Sequence, residues 1–189
     1  MTMAKLFYII GASGVGKDSL LDYARENLSE NANAVFVHRY ITRSADAGNE
    51  NHVALSDSEF QSRVEQGCFA MDWNSHGYRY GIGIEVNQWL AKGLNVVMNG
   101  SRGYLEKALN SYPELQPVLI RVPQSILKQR LESRGRETSV EIEKRLERAK
   151  ELDNIDASRL VVINNDGDLA QAGKELIRLI LLGSDRRCA

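Results

Sequence analysis

Gly11-Ala12-Ser13-Gly14-Val15-Gly16-Lys17-Asp18-Ser19 is the stretch whose reading decides the fold. The apolar run Leu6 to Ile10 precedes it, and Leu20, Leu21 and Ala24 follow at helical spacing. The order is strand, glycine-rich loop, helix. Gly11, four residues and Gly16-Lys17 match the phosphate-binding P-loop up to its last position. Glycines let successive N–H groups turn inward towards phosphate oxygens, and the helix start adds its positive end. Lys17 brings an ammonium to the β- and γ-phosphates. Asp18 stands where the pattern expects Ser or Thr, and Ser19 comes one residue late. A ligand-free turn before a helix is the alternative. The pattern together with its strand–loop–helix context favours a phosphate site.

A chain of 189 residues suits one α/β domain with small insertions. Hydrophobic content of 43% and charged content of 26% are those of an ordinary globular protein. The net charge of −1 supplies no bulk basic field for nucleic acid. No apolar run approaches the roughly 20 residues of a membrane span. The N-terminus enters the first strand at once, so no signal peptide is expected and a cytoplasmic location is. Cys68 and Cys188 form neither a disulfide framework nor a zinc pattern. His38, His52 and His76 are scattered.

The spacing predicts a helix over 17 to about 28, a turn at 31–33 and a strand at 34–37. A polar loop covers 44–51. Ser56 and Glu59 make a capping box for a helix at about 57–66. Two strands, 69–73 and 78–80, flank a turn at 74–77. Residues 39–92 thus read as an insertion with its own small sheet. The core resumes with a strand at 95–98, a loop at 99–103, a helix at 104–110 and a strand at 116–122. Pro123 opens a helix that Gly135 ends, and Thr138 with Glu141 caps another to about 152. A strand at 160–163 and a helix at 168–182 complete the chain. Alternating strands and helices imply a mostly parallel sheet covered on both faces, with ligands beyond the C-terminal strand ends.

Arg130 and Arg134 share a helix face, Arg136 follows, and Arg145 and Arg148 lie three apart on the next helix. Interleaved glutamates allow a solvated, salt-bridged surface, the reading favoured for Arg148. For Arg130, Arg134 and Arg145 a lid over transferring phosphates is favoured, because guanidinium groups match the charge spread over phosphoryl oxygens. Arg39, Tyr40, Thr42 and Arg43, with Tyr78 and Tyr80, suggest a second anion pocket for an acceptor bearing phosphate. Both arginines also suit a plain surface. His52 is balanced between acceptor and structural roles, and Asp72 leans towards reading the acceptor.

Over nearly its whole length the chain resembles the guanylate kinase family. The P-loop, Ile41-Thr42-Arg43, Tyr80-Gly81, the lid segments around Arg130–Arg134 and Lys144-Arg145-Leu146, and Val161 to Asp166 come in the family's order. The resemblance implies lid arginines at Arg130, Arg134 and Arg145. It also implies Asn164 near the adenine, Arg43 at the acceptor phosphate and Tyr80 in the acceptor pocket. The departures are Asp46 for a second arginine, His52 for a phosphate-holding tyrosine, Asp72 for a guanine-reading glutamate, and Ile82 for a serine. A strand ending in aspartates there reads Val97-Met98-Asn99-Gly100 here. A site missing such partners discriminates poorly for guanine. Gly-Lys-Asp-Ser, His38 to Arg43, Gly48 to His52, Asn99 to Arg102 and Asn164 to Gly167 together resemble the ribose 1,5-bisphosphate phosphokinase family within this superfamily. That resemblance implies a sugar bisphosphate as acceptor, for which Arg39, Arg43, His52 and Arg102 are suited.

The fold expected is α/β, of the P-loop NTPase type, with a parallel sheet flanked by helices. Its parts are a core (1–38, 93–123 and 155–189), an acceptor-binding insertion (39–92) and a helical lid (124–154). ATP is the expected donor, held by residues 11–19 (Gly11, Ala12, Ser13, Gly14, Val15, Gly16, Lys17, Asp18 and Ser19) with Asn164. Mg²⁺ is expected at Asp18 or Ser19, with neither preferred. The acceptor is a small phosphorylated sugar, with no nucleic acid or membrane partner and no oligomeric state implied. A nucleoside monophosphate kinase is the nearest alternative. A non-catalytic, protein-binding relative is disfavoured because Lys17 and the lid arginines are present.

Overall fold

Every residue of Leu6–Ile10 is buried, which demands a strand covered on both faces. The computed structural model describes residues 4–30, 32–45, 50, 52–135, 138–150 and 159–182, the side chain of Arg134 excepted. The expected turn at 31–33, the loop at 44–51 and the end of the second lid helix fall partly outside these residues. Arg136, Asp46 and Cys188 lie wholly outside them.

The chain starts with β1 (Leu6–Ile10), α1 (Lys17–Asn27) and β2 (Ala34–Phe36). The insertion follows as β3 (Tyr40–Ile41), β4 (Val53–Ala54), α2 (Asp57–Glu65), β5 (Phe69–Ser75), β6 (Tyr78–Gly83) and α3 (Glu85–Ala91). The core then continues with β7 (Asn95–Asn99), a 3₁₀ turn (Arg102–Tyr104), α4 (Leu105–Ser111) and β8 (Gln116–Arg121). It ends with α5 (Gln124–Arg134), α6 (Ser139–Lys150), β9 (Val161–Asn164) and α7 (Leu169–Leu182).

The main sheet has the order β2-β7-β1-β8-β9, every pair parallel. β1 lies centrally, so the P-loop leaves the sheet between the ends of β7 and β8. Ligands of open α/β sheets bind at such a reversal of strand order. The small sheet runs β4-β3-β6-β5 and is mixed. Two-residue strands are too short to show alternation, which is why β3 and β4 had no sequence signal. The β5–β6 hairpin is tighter than expected. His76 and Gly77 both take positive φ, 51° and 79°, as a two-residue turn matched to strand twist requires. Both strands therefore extend further than expected. α3 was also unanticipated, although Val86, Trp89 and Leu90 have helical spacing.

One face of the main sheet packs on α1, α5, α6 and α7 through Phe7, Ile9, Leu20, Leu131, Leu146 and Leu176. On the other face Tyr8, Ile10 and Met98 form a continuous core with Ile41, Trp73 and Ile82 of the small sheet. The insertion shares its apolar interior with the core, so its inner face is fixed against the P-loop side of the molecule. Buried Asn95 closes the opposite end. It accepts from Lys5 N at 2.9 Å and donates to Ile180 O at 2.9 Å, which satisfies its polar atoms.

Candidate active site

The loop after β1 is held from below. Gly16 has φ 89°, and a Cβ built there would lie 2.6 Å from Asn165 Nδ2, so the position excludes a side chain. Asn165, just past β9, donates through Nδ2 to Val15 O at 2.8 Å. Lys17 Nζ curls back to donate to Gly11 O at 2.8 Å and Ala12 O at 3.3 Å. Burial pushes its amine below the ordinary value, Asp18 opposes that, Arg39 adds to it and Glu50 opposes it. Residues of the insertion therefore act electrostatically on the P-loop lysine.

Asp18 occupies the first turn of α1, and Asn99 ends β7 on the adjacent strand. Asn99 Nδ2 donates to Asp18 Oδ1 at 2.8 Å. Asn99 is 7% exposed, and its Oδ1 is buried with no hydrogen-bond partner among the described residues. Ser19 is exposed. A carboxylate beside an unpartnered amide oxygen is a hard-oxygen donor set, which fits Mg²⁺. The loop beyond Asn99 is clamped by Tyr8, whose hydroxyl donates to Ser101 O and accepts from Ser101 N, both at 2.9 Å.

The helices α5 and α6, expected to form a lid, reach the P-loop directly. Arg130 donates to Val15 O at 3.3 Å and to Asn165 O at 2.7 Å. Arg145 donates to Ser13 Oγ. Arg134 closes α5, and its side chain is not among the described atoms. Gly135 ends that helix at φ 60° and ψ 21°, and the Thr138–Glu141 capping box forms, both as the sequence predicts. Arg102, expected at the acceptor, contacts α6: Nη1 donates to Arg148 O at 3.2 Å, near the C-terminal end of that helix. Asn164 ends β9 exposed; its neighbour Asn165 makes the contacts.

On the insertion, Arg39 and Glu50 form a bidentate ion pair through Nε and Nη2. Arg43 Nη2 meets the same carboxylate at 3.4 Å, while its Nε is buried without a hydrogen-bond partner among the described residues. Arg39 also lies over the Tyr80 ring, 5.0 Å from its centroid. Tyr80 stacks on Trp73, and burial pushes its phenol above the ordinary value. His52 is buried between two carbonyls, Glu50 O at 3.0 Å from Nδ1 and Arg43 O at 3.1 Å from Nε2. It braces the backbone that carries both charges. Asp72 pairs with Gly81 across the strands, whereas Trp73 pairs with Tyr80. Strand alternation therefore sets Asp72 on the face opposite Tyr80, so the two do not converge as expected.

Three polar groups here escaped sequence reasoning. Glu50 lay in a stretch read as loop. Asn165 was one residue from the asparagine chosen. Asn99 stood out as a missing aspartate and as part of the Asn99–Arg102 segment, but nothing in the sequence pairs it with Asp18; it ends the buried strand β7.

The AAA domain family matches residues 8–157. A guanylate kinase structure from Anaplasma phagocytophilum superposes with a TM-score of 0.73 at 16% identity, covering 98% of this chain and 88% of that one. That likeness shows the fold. Closer relatives share sequence throughout. The protein named ribose 1,5-bisphosphate phosphokinase PhnN of Desulfomicrobium baculatum is 57% identical over 179 residues, 95% of each chain. Its namesake of Psychromonas ingrahamii is 51% identical over 93% of this chain and 89% of its own. Identity at this level over most of both lengths shows the family: the chain belongs to the ribose 1,5-bisphosphate phosphokinase family.

Proposed function

We propose that the chain transfers the γ-phosphoryl group of ATP to the 1-phosphate of ribose 1,5-bisphosphate, giving 5-phosphoribosyl 1-diphosphate and ADP. The observation that carries this reading is the Arg39–Glu50–Arg43 cluster, whose Arg39 and Glu50 charges act on the P-loop lysine. It supplies a basic acceptor site opposite a donor site, in a chain of this family. Residues 39–92 form the acceptor-binding part and residues 124–154 the lid. Residues 11–19 hold the donor phosphates, with Asn164 towards the adenine. Arg39, Arg43 and Tyr80 line the acceptor site, and His52 supports it.

An oxygen of the acceptor 1-phosphate attacks the γ-phosphorus. The bond to the β–γ bridging oxygen breaks, and ADP leaves with that electron pair. The attacking oxygen is already ionised at neutral pH, so no general base is required. Lys17 meets the phosphates once released from the loop carbonyls. Arg130 and Arg145 meet the charge that spreads over the moving phosphoryl group, and Arg134 is the third arginine assigned to that task. Asp18 would hold Mg²⁺, which would supply positive charge to the donor phosphates. Lid contacts from Arg145 and Arg130 keep water from the donor.

The test is ADP release with ribose 1,5-bisphosphate, GMP and other nucleoside monophosphates compared side by side. Turnover with the sugar bisphosphate is the expected result. Strong turnover with GMP and none with the sugar would overturn the proposal in favour of a nucleotide kinase.

A further inference from the structure

P-loop enzymes commonly hold Mg²⁺ with a hydroxyl directly after the lysine and an aspartate on a neighbouring core strand. In this chain the side chains are exchanged. The carboxylate, Asp18, follows Lys17, and the strand beside β1 ends in Asn99. The two side chains meet, with Asn99 Nδ2 donating to Asp18 Oδ1 at 2.8 Å. This contact fixes the orientation of the amide. Turning it over would set Asn99 Oδ1 against a carboxylate, acceptor against acceptor. In the orientation present, Oδ1 is buried without a partner among the described residues. An unpaired acceptor costs stability unless another group answers it.

We propose that Asp18 and Asn99 act as one unit for the divalent cation of the donor nucleotide: Asp18 supplies the carboxylate, and Asn99 is the residue that positions it. Moving the negative charge from the strand to the helix start keeps one carboxylate in the site. The amide locks one oxygen of that carboxylate and leaves the other to the cation. The unpaired Asn99 Oδ1 adds a second oxygen, able to ligate Mg²⁺ or to accept a hydrogen bond from one of its waters. Ser19 is then not needed as a ligand. This inference rests on the ATP-donor reading above.

The experiment measures Mn²⁺ binding by electron paramagnetic resonance, with and without ADP, and ADP binding in EDTA by calorimetry. Asp18→Ser should weaken Mn²⁺ in the ADP complex by about 10-fold or more. Asn99→Ala should weaken it by about 10-fold, the usual effect of losing a group that orients a ligand. Metal-free ADP affinity should not fall in either variant, and in Asp18→Ser the loss of a like charge beside the phosphates should raise it. The double variant Asp18→Ser/Asn99→Asp rebuilds the common arrangement and should return Mn²⁺ affinity to within about threefold of the parent protein. Thermal melts establish that each variant is folded. If Asn99→Ala does not fold, Asp18→Ser against the double variant decides, because both keep a polar side chain at position 99. A double variant no better than Asp18→Ser overturns the pairing, as does a folded Asn99→Ala with parental Mn²⁺ affinity. Parent protein that binds no ADP removes the donor reading and the pairing with it.

Discussion

Lys17 sits in an unfavourable electrostatic setting. Its ammonium is buried, its acceptors are two loop carbonyls, and its amine is held below the ordinary value by that burial. The sign of the consequence is definite. A cation with a lowered value binds fewer protons folded than unfolded, so its contribution to stability rises with pH towards the unfolded value of about 10.4. Nucleotide phosphates reverse this by favouring the charged amine. ADP binding at a pH approaching the unfolded value should therefore take up protons, read by calorimetry in buffers of different ionisation enthalpy. Lys17→Ala should abolish that uptake and lower turnover by about 10²–10³-fold, the usual effect of removing a donor from a charged transition state. Near-parental turnover would refute the assignment of Lys17 to the donor.

At the scale of elements, the lid is tied at three places: Arg130 to Val15 and Asn165, Arg145 to Ser13, and Arg102 to the last turn of α6. The third tie changes what Arg102 does. It meets a carbonyl near the C-terminal end of a helix, where a cation is favoured. Arg102→Ala should raise KM for ATP by about 3–5-fold, the loss of about 0.7–1 kcal/mol of hydrogen bond and helix-end interaction. The acceptor KM should change less, and steady-state kinetics with each substrate varied separates the two. A larger effect on the acceptor would return Arg102 to the sugar site. Elements were legible wherever local chemistry sets them. Ser56 caps α2, Gly135 ends α5 and Thr138 caps α6 because side chains and φ angles within a few residues decide the matter. Contacts that join distant segments were not. Asn99 meets Asp18 across 81 positions and Asn165 meets Val15 across 150, and no periodicity records which of two adjacent asparagines faces inward. Asp72 and Tyr80 both read as acceptor residues in the sequence, but a strand's alternation sets them on opposite faces.

At the scale of the molecule, a single apolar core binds the small sheet to the main one, and this brings Arg39 and Glu50, in the cluster proposed for the acceptor, within electrostatic reach of Lys17. Two guanidinium groups so placed need a counter-charge when no phosphate is bound, and Glu50 supplies it. The side chains of Arg39 and Glu50 are each 13% exposed and that of Arg43 is 20%, so the cluster is largely withdrawn from water. Removing one partner from such an ion pair leaves an uncompensated charge, at a cost of about 3–5 kcal/mol. Glu50→Gln should therefore lower the melting temperature by about 10 °C in a chain of this length. The loss should be selective in its cure. Inorganic phosphate or pyrophosphate can answer the bared guanidinium groups bidentately, so either anion should restore most of the melting temperature of Glu50→Gln while moving the parent protein less. Chloride at equal ionic strength should not, because screening reaches partly buried charges poorly. Scanning calorimetry across the three salts reads the difference. Equal recovery in chloride would mean that Glu50 stabilises the fold generally and does not hold the place of an acceptor phosphate.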